Sequence, residues 1–470
     1  MIERTDKARL DTEEIVELIK KRKDKKDYFD NLQDYYKGEN RYILDRPIVD
    51  QNNPDYKLPV PYGRKIIKTV CGYMFKSGLI RYDSDQKRYL EEVRKVFDDN
   101  DEDSKTSMIG KMVSLYGEAY ELAFVTGVAK IETQFEMDGV FKFARVDPRR
   151  MIVLYNNDIE PELVVAIRFW PEKPEDAPED KDVVSVERVD VIYAIETYRY
   201  YLVTRKKQGR LQYELVKMPD FVEYNTFSKV PVVHYMNNDE LQGDFEPVIP
   251  LINGYDALAS GSMTEFFRFA QAYLRLVERT LEPQDLRRLR FTRLFQGLRD
   301  KEDVTFLTKD INDAYIELML RTMRRQIYEQ SHVPDLQDER FKGDMSGVAL
   351  RRMLYDFENL ASDKEMFFKI GLMKRLELID DYFKTKKIET DGSRRDMRIQ
   401  FQRNLEVDAG EIAEIAERMQ ATTSRRTALT MFPETVVPDV DAEMRQIEEE
   451  GSMAMNFDVE NLPEEEIPEE

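Results

Sequence analysis

The sequence predicts an α+β protein built from several structural units. At 470 residues, the chain exceeds the roughly 250 to 300 residues at which a single hydrophobic core stops growing. Apolar residues recur at helical spacing near both ends, whereas short strand patterns are concentrated between Glu118 and Tyr235. With 41% hydrophobic and 35% charged residues, the chain can form a core and also carry the charged surface of long solvated helices or polar interfaces.

The first half of the chain changes from helical to strand-like patterns. The stretch TEEIVELIKKRKDKKDYFDNLQDYYKGEN is helical and stops at Gly38 and Asn40, and a further helix begins near Pro61 and ends at Gly78. After it, the runs YELAFV, FKFARV, MIVLY, VVAIRFW and LQYELVKM are separated by turn residues. These runs predict strands, so residues 1–243 are expected to form an α+β unit.

The second half of the chain is mainly helical. Asp244 can cap a helix that continues to Val277, and an arginine-rich segment, the strand-like DVTFLT and a second helix ending before Pro334 follow it. After a polar loop, a continuous helical pattern runs from Ser346 to Lys386, which is long for a globular helix. The stretches VDAGEIAEIAERMQ, SRRTALTMF and VDAEMRQIEEE predict short helices near the C-terminus.

Charge is distributed unevenly along the chain. The formal net charge is −21, and residues 439–470 hold 13 acids and one base, a net of −12, so the preceding 438 residues carry −9. The C-terminal tail has few apolar residues to bury and is expected to be disordered. Arginines are concentrated between Arg287 and Arg325. This basic segment is either a solvated face or a docking surface for an anionic partner, and the residues leave both interpretations open.

The sequence lacks the motifs of common enzymes. Ser346 lies in Gly-Asp-Met-Ser-Gly after a polar loop, which does not match the Gly-x-Ser-x-Gly nucleophile elbow that follows a strand. The stretch GYMFKSG lacks the spacing of a Walker A loop, and His234 and His332 lack partners at metal-ligand spacing. Both histidines are therefore interpreted as ordinary packed or surface residues. Carboxylates are too numerous for their pairs to indicate catalysis.

Hydropathy and cysteine content indicate the compartment. No window approaches the roughly 20 apolar residues of a membrane-spanning helix, and the N-terminal stretch MIERTDKARL has no apolar signal region. The single cysteine, Cys71, lies in an apolar stretch and is predicted to be a small core residue. We therefore expect a soluble protein that is not exported and works under reducing conditions.

Four stretches resemble a known family in their order and spacing. They are YYKGENRYIL, KIIKTVCGYMFKSGLIRY, NNDELQGDFEPVIPLINGYDALASGSMTEFFRFAQAYL and GDMSGVALRRMLYDFENLASDKE. Together they resemble the portal proteins of tailed bacteriophages, of the type found in siphophages of Gram-positive hosts. The resemblance covers the chain from about Asp27 to Glu450.

The resemblance implies a portal fold with an α/β wing, a helical stem hairpin, a small α/β clip, a long wing helix and a helical crown. The implied parts are residues 1–243 for the first part of the wing, 244–277 for stem helix 1, 278–309 for the clip, 310–330 for stem helix 2, 331–347 for the tunnel loop, 348–406 for the long helix and return strand of the wing, 407–451 for the crown and 452–470 for the acidic tail.

The resemblance also implies a function and partners. It implies a homo-oligomeric ring of about twelve subunits at one vertex of the capsid, with double-stranded DNA passing through its channel for packaging, retention and ejection. The implied partners are the terminase large subunit, a head-completion or adaptor protein, the major capsid protein and the scaffold. No enzyme activity, cofactor, metal or membrane is implied, and the protein belongs in the virion after assembly in the host cytoplasm.

The resemblance assigns roles to three groups of residues. In the tunnel loop, Ser346 caps the long helix, and Gly343 and Gly347 let the loop bend. The tunnel-loop group is Asp338, Glu339, Arg340, Lys342, Gly343, Asp344, Ser346 and Gly347. The channel face of the stem has Arg321, Arg324 and Arg325, and the partner-docking group of the clip is Arg287, Arg288, Arg290, Arg293 and Arg299.

Two other classes of protein stay open on the residues alone. One is a nuclease that uses clustered carboxylates and Mg²⁺. The other is a different head-assembly protein, such as a scaffold or a minor capsid component. Metal-dependent cleavage by the pure protein would reveal the nuclease, and the other head-assembly protein would not form closed rings with an open axis.

Overall fold

The structure is a computed structural model in which the described residues are 3–48, 54–126, 129–131, 134–136, 139–172, 182–207, 210–270, 273–277, 303–307, 313–337 and 352–404, with 418, 423–429, 432, 437, 440 and 442–449. The chain divides into two units. The first comprises Met1–Glu339 and Leu354–Asn404, and the second comprises Arg340–Met353 and Leu405–Glu470.

Helices occur near both ends of the described chain, as the periodicity predicts. The helices are α1 (Thr12–Asp24), α2 (Lys26–Lys37), α3 (Arg41–Leu44), α4 (Tyr62–Met74), α5 (Lys87–Asp98), α6 (Glu102–Tyr116), α7 (Ile249–Ala270), α8 (Asp313–Gln330), α9 (Tyr355–Lys386) and α10 (Arg425–Leu429). The start of α4 directly after Pro61 is as predicted, but its end at Met74 precedes the predicted end at Gly78.

Most strands lie in the middle of the chain, which confirms the mixed α+β class. The strands are β1 (Glu3–Arg4), β2 (Ile80–Ser84), β3 (Glu118–Val125), β4 (Ala129–Ile131), β5 (Gln134–Glu136), β6 (Phe141–Val146), β7 (Met151–Tyr155), β8 (Leu163–Pro171), β9 (Val183–Ile192), β10 (Glu196–Lys207), β11 (Arg210–Tyr224), β12 (Val232–Met236), β13 (Tyr273–Val277), β14 (Asp303–Leu307) and β15 (Met397–Phe401).

The central strands form two sheets with a shared core. One sheet has the order β1-β7-β8-β9-β10-β11 and the other the order β12-β3-β6. Within them, β1 and β7 pair in parallel and the other neighbouring strands pair antiparallel. Ile15 and Ile19 of α1 pack on Ile167, Val189 and Leu202 of the larger sheet. This packing buries one apolar face of the sheet beneath the N-terminal helix.

The long helix α9 packs closely on β12. Phe368 and Leu372 of α9 are fully buried. A side-chain carbon added at Gly371 would overlap the ring of Tyr235 on β12. Gly371, which the sequence marks as a weak point in a helix, therefore permits a close approach between the helix and the strand.

The start of the long helix differs from the prediction. A turn at Leu354 separates helical residues 352–353 from α9, so the predicted continuous helix from Ser346 is wrong at this point. The backbone of Leu354 has φ −91° and ψ 3°, and its side chain cannot accept a capping bond. The predicted cap, Ser346, lies outside the described residues.

Helix α7 is shorter than the sequence predicts at both ends. It begins at Ile249 after a 3₁₀ turn (Glu246–Val248), and Asp244 does not cap it because its carboxylate pairs with Lys364. At the other end, Tyr273–Val277 forms β13, which pairs antiparallel with β14. The alternation of Tyr-Leu-Arg-Leu-Val suits a strand, and its nonlocal partner overrides the helical pattern. The predicted strand DVTFLT and the second helix are confirmed as β14 and α8.

In the second unit, the described residues include α10 and helical residues 442–449. Both lie within stretches predicted to be helical. Ser424 directly precedes α10, and its hydroxyl oxygen accepts a hydrogen bond from the backbone N–H of Thr427 at 3.3 Å. The predicted helix VDAGEIAEIAERMQ lies almost entirely outside the described residues, and the acidic tail 452–470 lies wholly outside them.

Candidate functional site

The candidate site is the helix pair α7 and α8 with the segments that attach it to the rest of the first unit. The two helices contact each other, and Met323 of α8 lies beside Gly254 of α7. Tyr255 of α7 and Tyr328 of α8 both meet Tyr62 of α4 edge to face, with ring centroids 5.1 and 6.0 Å apart. These aromatic contacts fix one end of the helix pair to α4.

Both helices also carry apolar side chains that the chain leaves exposed. Phe266 on α7 is 60% exposed and Leu318 on α8 is 59% exposed, and Met263 on α7 is 38% exposed. A helix in a water-soluble protein normally buries its apolar stripe. A single copy of the chain therefore leaves part of the surface of this helix pair uncovered.

An extended segment, residues 54–61, is bonded to α7 at regular intervals. Backbone N–H groups of alternate residues in the segment donate to side chains at every fourth position of the helix. The pairs are Tyr56 with Thr264, Leu58 with Ser260 and Val60 with Asp256, each at 3.0 Å. Two extended residues span about 6.6 Å and four helical residues about 6 Å, so the two spacings match. The ladder fixes the position of α7 along this segment.

Asp256 is a fully buried carboxyl within this ladder. Burial raises its pKa to about 6, and the donors Asn40 Nδ2 at 2.8 Å and the Val60 N–H at 3.0 Å oppose the rise. The unfolded value is about 3.9, so between about pH 4 and 6 the folded chain holds a proton that the unfolded chain has lost. The stabilisation by this proton is complete below about pH 4 and is lost as the pH rises through about 6.

We expect Asp256→Asn to reduce the dependence of stability on pH between about 4 and 6. Asparagine does not titrate, so the variant lacks the change of about 1.4 kcal/mol per pH unit that one differentially bound proton contributes. Urea unfolding at a series of pH values and one protein concentration measures the slope. Asp363→Asn on the exposed surface of α9 is the control and should keep the wild-type slope. An unchanged slope in Asp256→Asn would contradict this titration.

The three arginines predicted for the channel face all lie on α8, and each pairs with a carboxylate of the same chain. The pairs are Arg321 with Glu317 at 2.9 Å, Arg325 with Glu329 at 3.1 Å and Arg324 with Asp335 at 2.7 Å. Arg321 and Arg325 are exposed, whereas Arg324 is less so. The surface of α8 is therefore closer to neutral than its arginines alone indicate, and contact with DNA stays a prediction.

The chain leaves α8 in a fixed direction. The N–H of Val333 donates to the carbonyl of Tyr328 at 3.2 Å, and His332 adopts φ 55°, in the left-handed region that ends many helices. Asp335 then lies 3.6 Å from Lys65 of α4, in addition to its pair with α8. His332 is an exposed residue, as the sequence interpretation allows.

Two of the predicted groups cannot be placed. The tunnel-loop residues Asp338, Glu339, Arg340, Lys342, Gly343, Asp344, Ser346 and Gly347 and the clip residues Arg287, Arg288, Arg290, Arg293 and Arg299 all lie outside the described residues. The structure therefore brings together the arginines of α8, and the roles of the other two groups stay predictions.

Sequence reasoning missed three buried ion pairs that hold α9 in the first unit. Arg375 donates to both Glu102 and Glu121, and Lys364 donates to Asp244. All five side chains are no more than 7% exposed. A signal was present, because Lys364 and Arg375 share the face of α9 that carries its buried apolar residues, but carboxylates are too common in this chain for the partners to be identified.

His234 is a packed residue of β12, in agreement with its interpretation from the sequence. Its Nδ1 lies 3.1 Å from the hydroxyl of Tyr155, and its Nε2 lies 3.3 Å from the carboxylate of Glu118. Burial opposes ionisation of Glu118, but the charge of Arg22 at 2.6 Å outweighs it and lowers the pKa of this carboxyl. The charged pair accounts for the buried carboxylate without a catalytic role.

Cys71 is also better described as structural than as reactive. It is partly buried, and its thiol lies 3.7 Å from the hydroxyl of Ser114. Burial raises the pKa of the Cys71 thiol to about 11, which keeps it protonated near neutral pH. In the described part of the chain, no group of three or more His, Cys, Asp or Glu side chains could hold a metal ion, and none of its helices is both long and apolar enough to span a bilayer.

Comparisons with known proteins identify related sequences. The chain matches a family model described as Phage portal protein, SPP1 Gp6-like, over residues 16–456. The portal protein of Bacillus phage SPP1 is 23% identical over 385 residues, which are 79% of this chain and 71% of that protein. The portal protein of Clostridium phage phiCD119 is 22% identical over 361 residues, which are 73% of this chain and 77% of that protein.

Solved structures with a similar chain trace come from gene transfer agent (GTA) particles. A chain from the virion of the native GTA particle aligns with 85% of this chain and 94% of its own length, at 12% identity and a TM-score of 0.42. A chain from the neck of the empty GTA particle, computed with C6 symmetry, aligns with 83% of this chain and 88% of its own, at 12% identity and a TM-score of 0.43.

Proposed function

This chain belongs to the SPP1 Gp6-like family of phage portal proteins, and we propose that it forms a ring of about twelve copies at one vertex of the phage head. Double-stranded DNA passes along the axis of this ring during packaging and ejection and is retained there in between. The role is structural rather than catalytic. The observation that carries the proposal is the family match, which extends over residues 16–456.

The uncovered apolar surface of α7 and α8 supports assembly. Phe266 and Leu318 lie on the helix pair and gain apolar contacts only if a second chain covers them. A surface that is covered by a different surface of the next identical copy gives a ring where the rotation between copies closes. We therefore propose that these residues lie between neighbouring stems.

Negative-stain images of the purified protein should show rings with a central hole. We expect the double variant Phe266→Glu and Leu318→Glu to shift the protein toward a monomer of 55.7 kDa, because charges would have to be buried between the stems. Light scattering measures the shift. Ile159→Glu, which changes a fully exposed apolar residue in the turn between β7 and β8, is the control and should leave the rings intact.

The proposed ring and the proposed stem interface can be contradicted by different results. A wild-type protein that stays monomeric at every concentration and salt tested argues against a ring and so against the proposed function. Rings that persist undiminished in the stem variant argue only against the stem surface as an interface.

The paired arginines of α8 suit a conduit for DNA. We propose that Arg321, Arg324 and Arg325 face the channel, as rings of charge repeated by symmetry. Cations that neutralise many phosphates bind DNA tightly and in a salt-dependent way. Because each arginine has a carboxylate partner on its own chain, phosphate contacts are weakened and DNA can slide.

The remaining parts of the proposal concern partners. We propose that the basic clip segment docks the terminase large subunit and later a head-completion protein, with Arg287, Arg288, Arg290, Arg293 and Arg299 as its contacts, and that the wing meets the major capsid protein and the scaffold. The tunnel loop, with Lys342 as its central cation, reaches into the channel. The ring assembles in the host cytoplasm and ends in the virion.

A further inference from the structure

An open acidic cleft lies between β2, α5 and α6. Its volume is about 820 Å³. The floor is apolar and includes Ile80, Phe97 and Met108, and Met108 is 45% exposed. The rim holds the exposed carboxylates of Asp98, Asp101 and Asp103 and the exposed base Arg94. Within the described residues, Asp98 and Asp101 make no ion pair, and the three exposed carboxylates outnumber Arg94, so the cleft presents net negative charge around an apolar floor.

A basic groove lies on the exposed side of α9. Its volume is about 420 Å³, and its apolar residues Met366, Ile370 and Met373 recur at spacings of four and three. Met366 and Ile370 are 56% and 52% exposed. The rim holds Lys369, Lys374 and Arg394. Glu377 pairs with the last two, whereas Lys369 has no ion pair within the described residues.

The cleft and the groove lie on opposite sides of one layer of the first unit. Successive residues of a helix are about 100° apart, so Met366 and Ile370 lie opposite the buried Phe368 and Arg375. Arg375 points away from the groove and donates to Glu102 at 2.7 Å. Glu102 itself lines the acidic cleft. The buried face of α9 therefore points toward the cleft, and the groove lies on the opposite, exposed face of the same helix.

We propose that the acidic cleft of one copy receives the exposed face of α9 of the next copy around the ring. This inference rests on the proposed function, since it concerns the contact between neighbouring wings. A ring needs two different surfaces on roughly opposite sides of each subunit. The cleft and the groove meet that requirement, and they match each other in charge and in exposed apolar residues.

Pairing of like surfaces is less favourable. Two grooves brought together would place Lys369 of each copy beside a second cluster of cations, and two clefts would place uncompensated carboxylates together. Like charges across an interface suppress association, whereas complementary patches steer it and fix its register. The charge pattern therefore favours the head-to-tail contact that a closed ring requires.

Disulfide cross-linking tests the contact. In a Cys71→Ala background, which removes the single native thiol, Met108→Cys and Ile370→Cys are introduced together and separately. Oxidation of the double variant should give a ladder of covalent multimers on a denaturing gel, and each single variant should stay monomeric on the same gel. Rings without a ladder in the double variant, or dimers of the Ile370→Cys single variant, would overturn the proposed contact.

A charge exchange tests the same contact without cysteines. Lys369→Glu should lower the yield of rings severalfold at low salt, and adding Asp101→Lys should restore it, because the exchange reverses both partners. A full yield in the single variant, or a loss that the second change does not repair, would overturn the contact. If the wild-type protein forms no rings, the proposed function fails as well. If the variants form rings as the wild type does, only this contact is refuted.

Discussion

Replacing Arg375 with methionine should lower the free energy of unfolding by about 3 to 5 kcal/mol. The guanidinium is 1% exposed and donates to Glu102 at 2.7 Å, to Glu121 at 2.9 and 2.6 Å, and to Thr106 at 2.8 Å. Methionine fills much of the same space but leaves two buried carboxylates without a cation. Such an uncompensated buried charge costs far more than the ion pair itself contributes.

Urea unfolding at one protein concentration measures this loss, because assembly adds to the apparent stability. Arg398→Met on β15 is the matched control. Its guanidinium is 55% exposed and pairs with Asp83 and Asp85, so its loss should cost far less than the loss of Arg375. Equal effects of the two changes would show that Arg375 does not hold the core together.

Local periodicity explains why much of the fold is predictable from sequence. The strands between Glu118 and Tyr235 alternate within short runs, and α2 ends at Gly38 because its φ of 86° suits glycine. Predictions fail where a distant partner decides the outcome. The sequence pattern predicts that Tyr273–Val277 is the end of a helix, but the segment forms a strand because it pairs with Asp303–Leu307.

The buried polar contacts, at the candidate site and elsewhere in the first unit, are less predictable for the same reason. Arg375 and Glu121 are 254 residues apart in sequence, and no local pattern relates them. In contrast, the ladder on α7 has a visible signature, since Asp256, Ser260 and Thr264 place a polar acceptor at every fourth position of the helix. The extended segment that donates to them carries no such signature, because its backbone rather than its side chains makes the bonds.

Lys364→Met should also destabilise the first unit by about 3 to 5 kcal/mol, and its effect should reach the base of α7. The ammonium donates to both carboxylate oxygens of Asp244, at 2.7 and 2.8 Å, and to the hydroxyl of Ser114 at 2.8 Å. Both charged side chains are almost fully buried. Without the lysine, Asp244 keeps a hydrogen bond from Asn237 but no cation.

The double variant Lys364→Met with Asp244→Asn separates the cost of an unpaired charge from the value of the pair. Asparagine keeps the shape of Asp244 and removes its charge, so the double variant should recover most of the loss seen in Lys364→Met. Urea unfolding of the wild type, both single variants and the double variant gives the coupling energy between the two sites. A double variant as unstable as the sum of the single changes would show that the pair has no coupling. In that case, the attachment of α7 to α9 would depend on packing around Asp244 rather than on its charge.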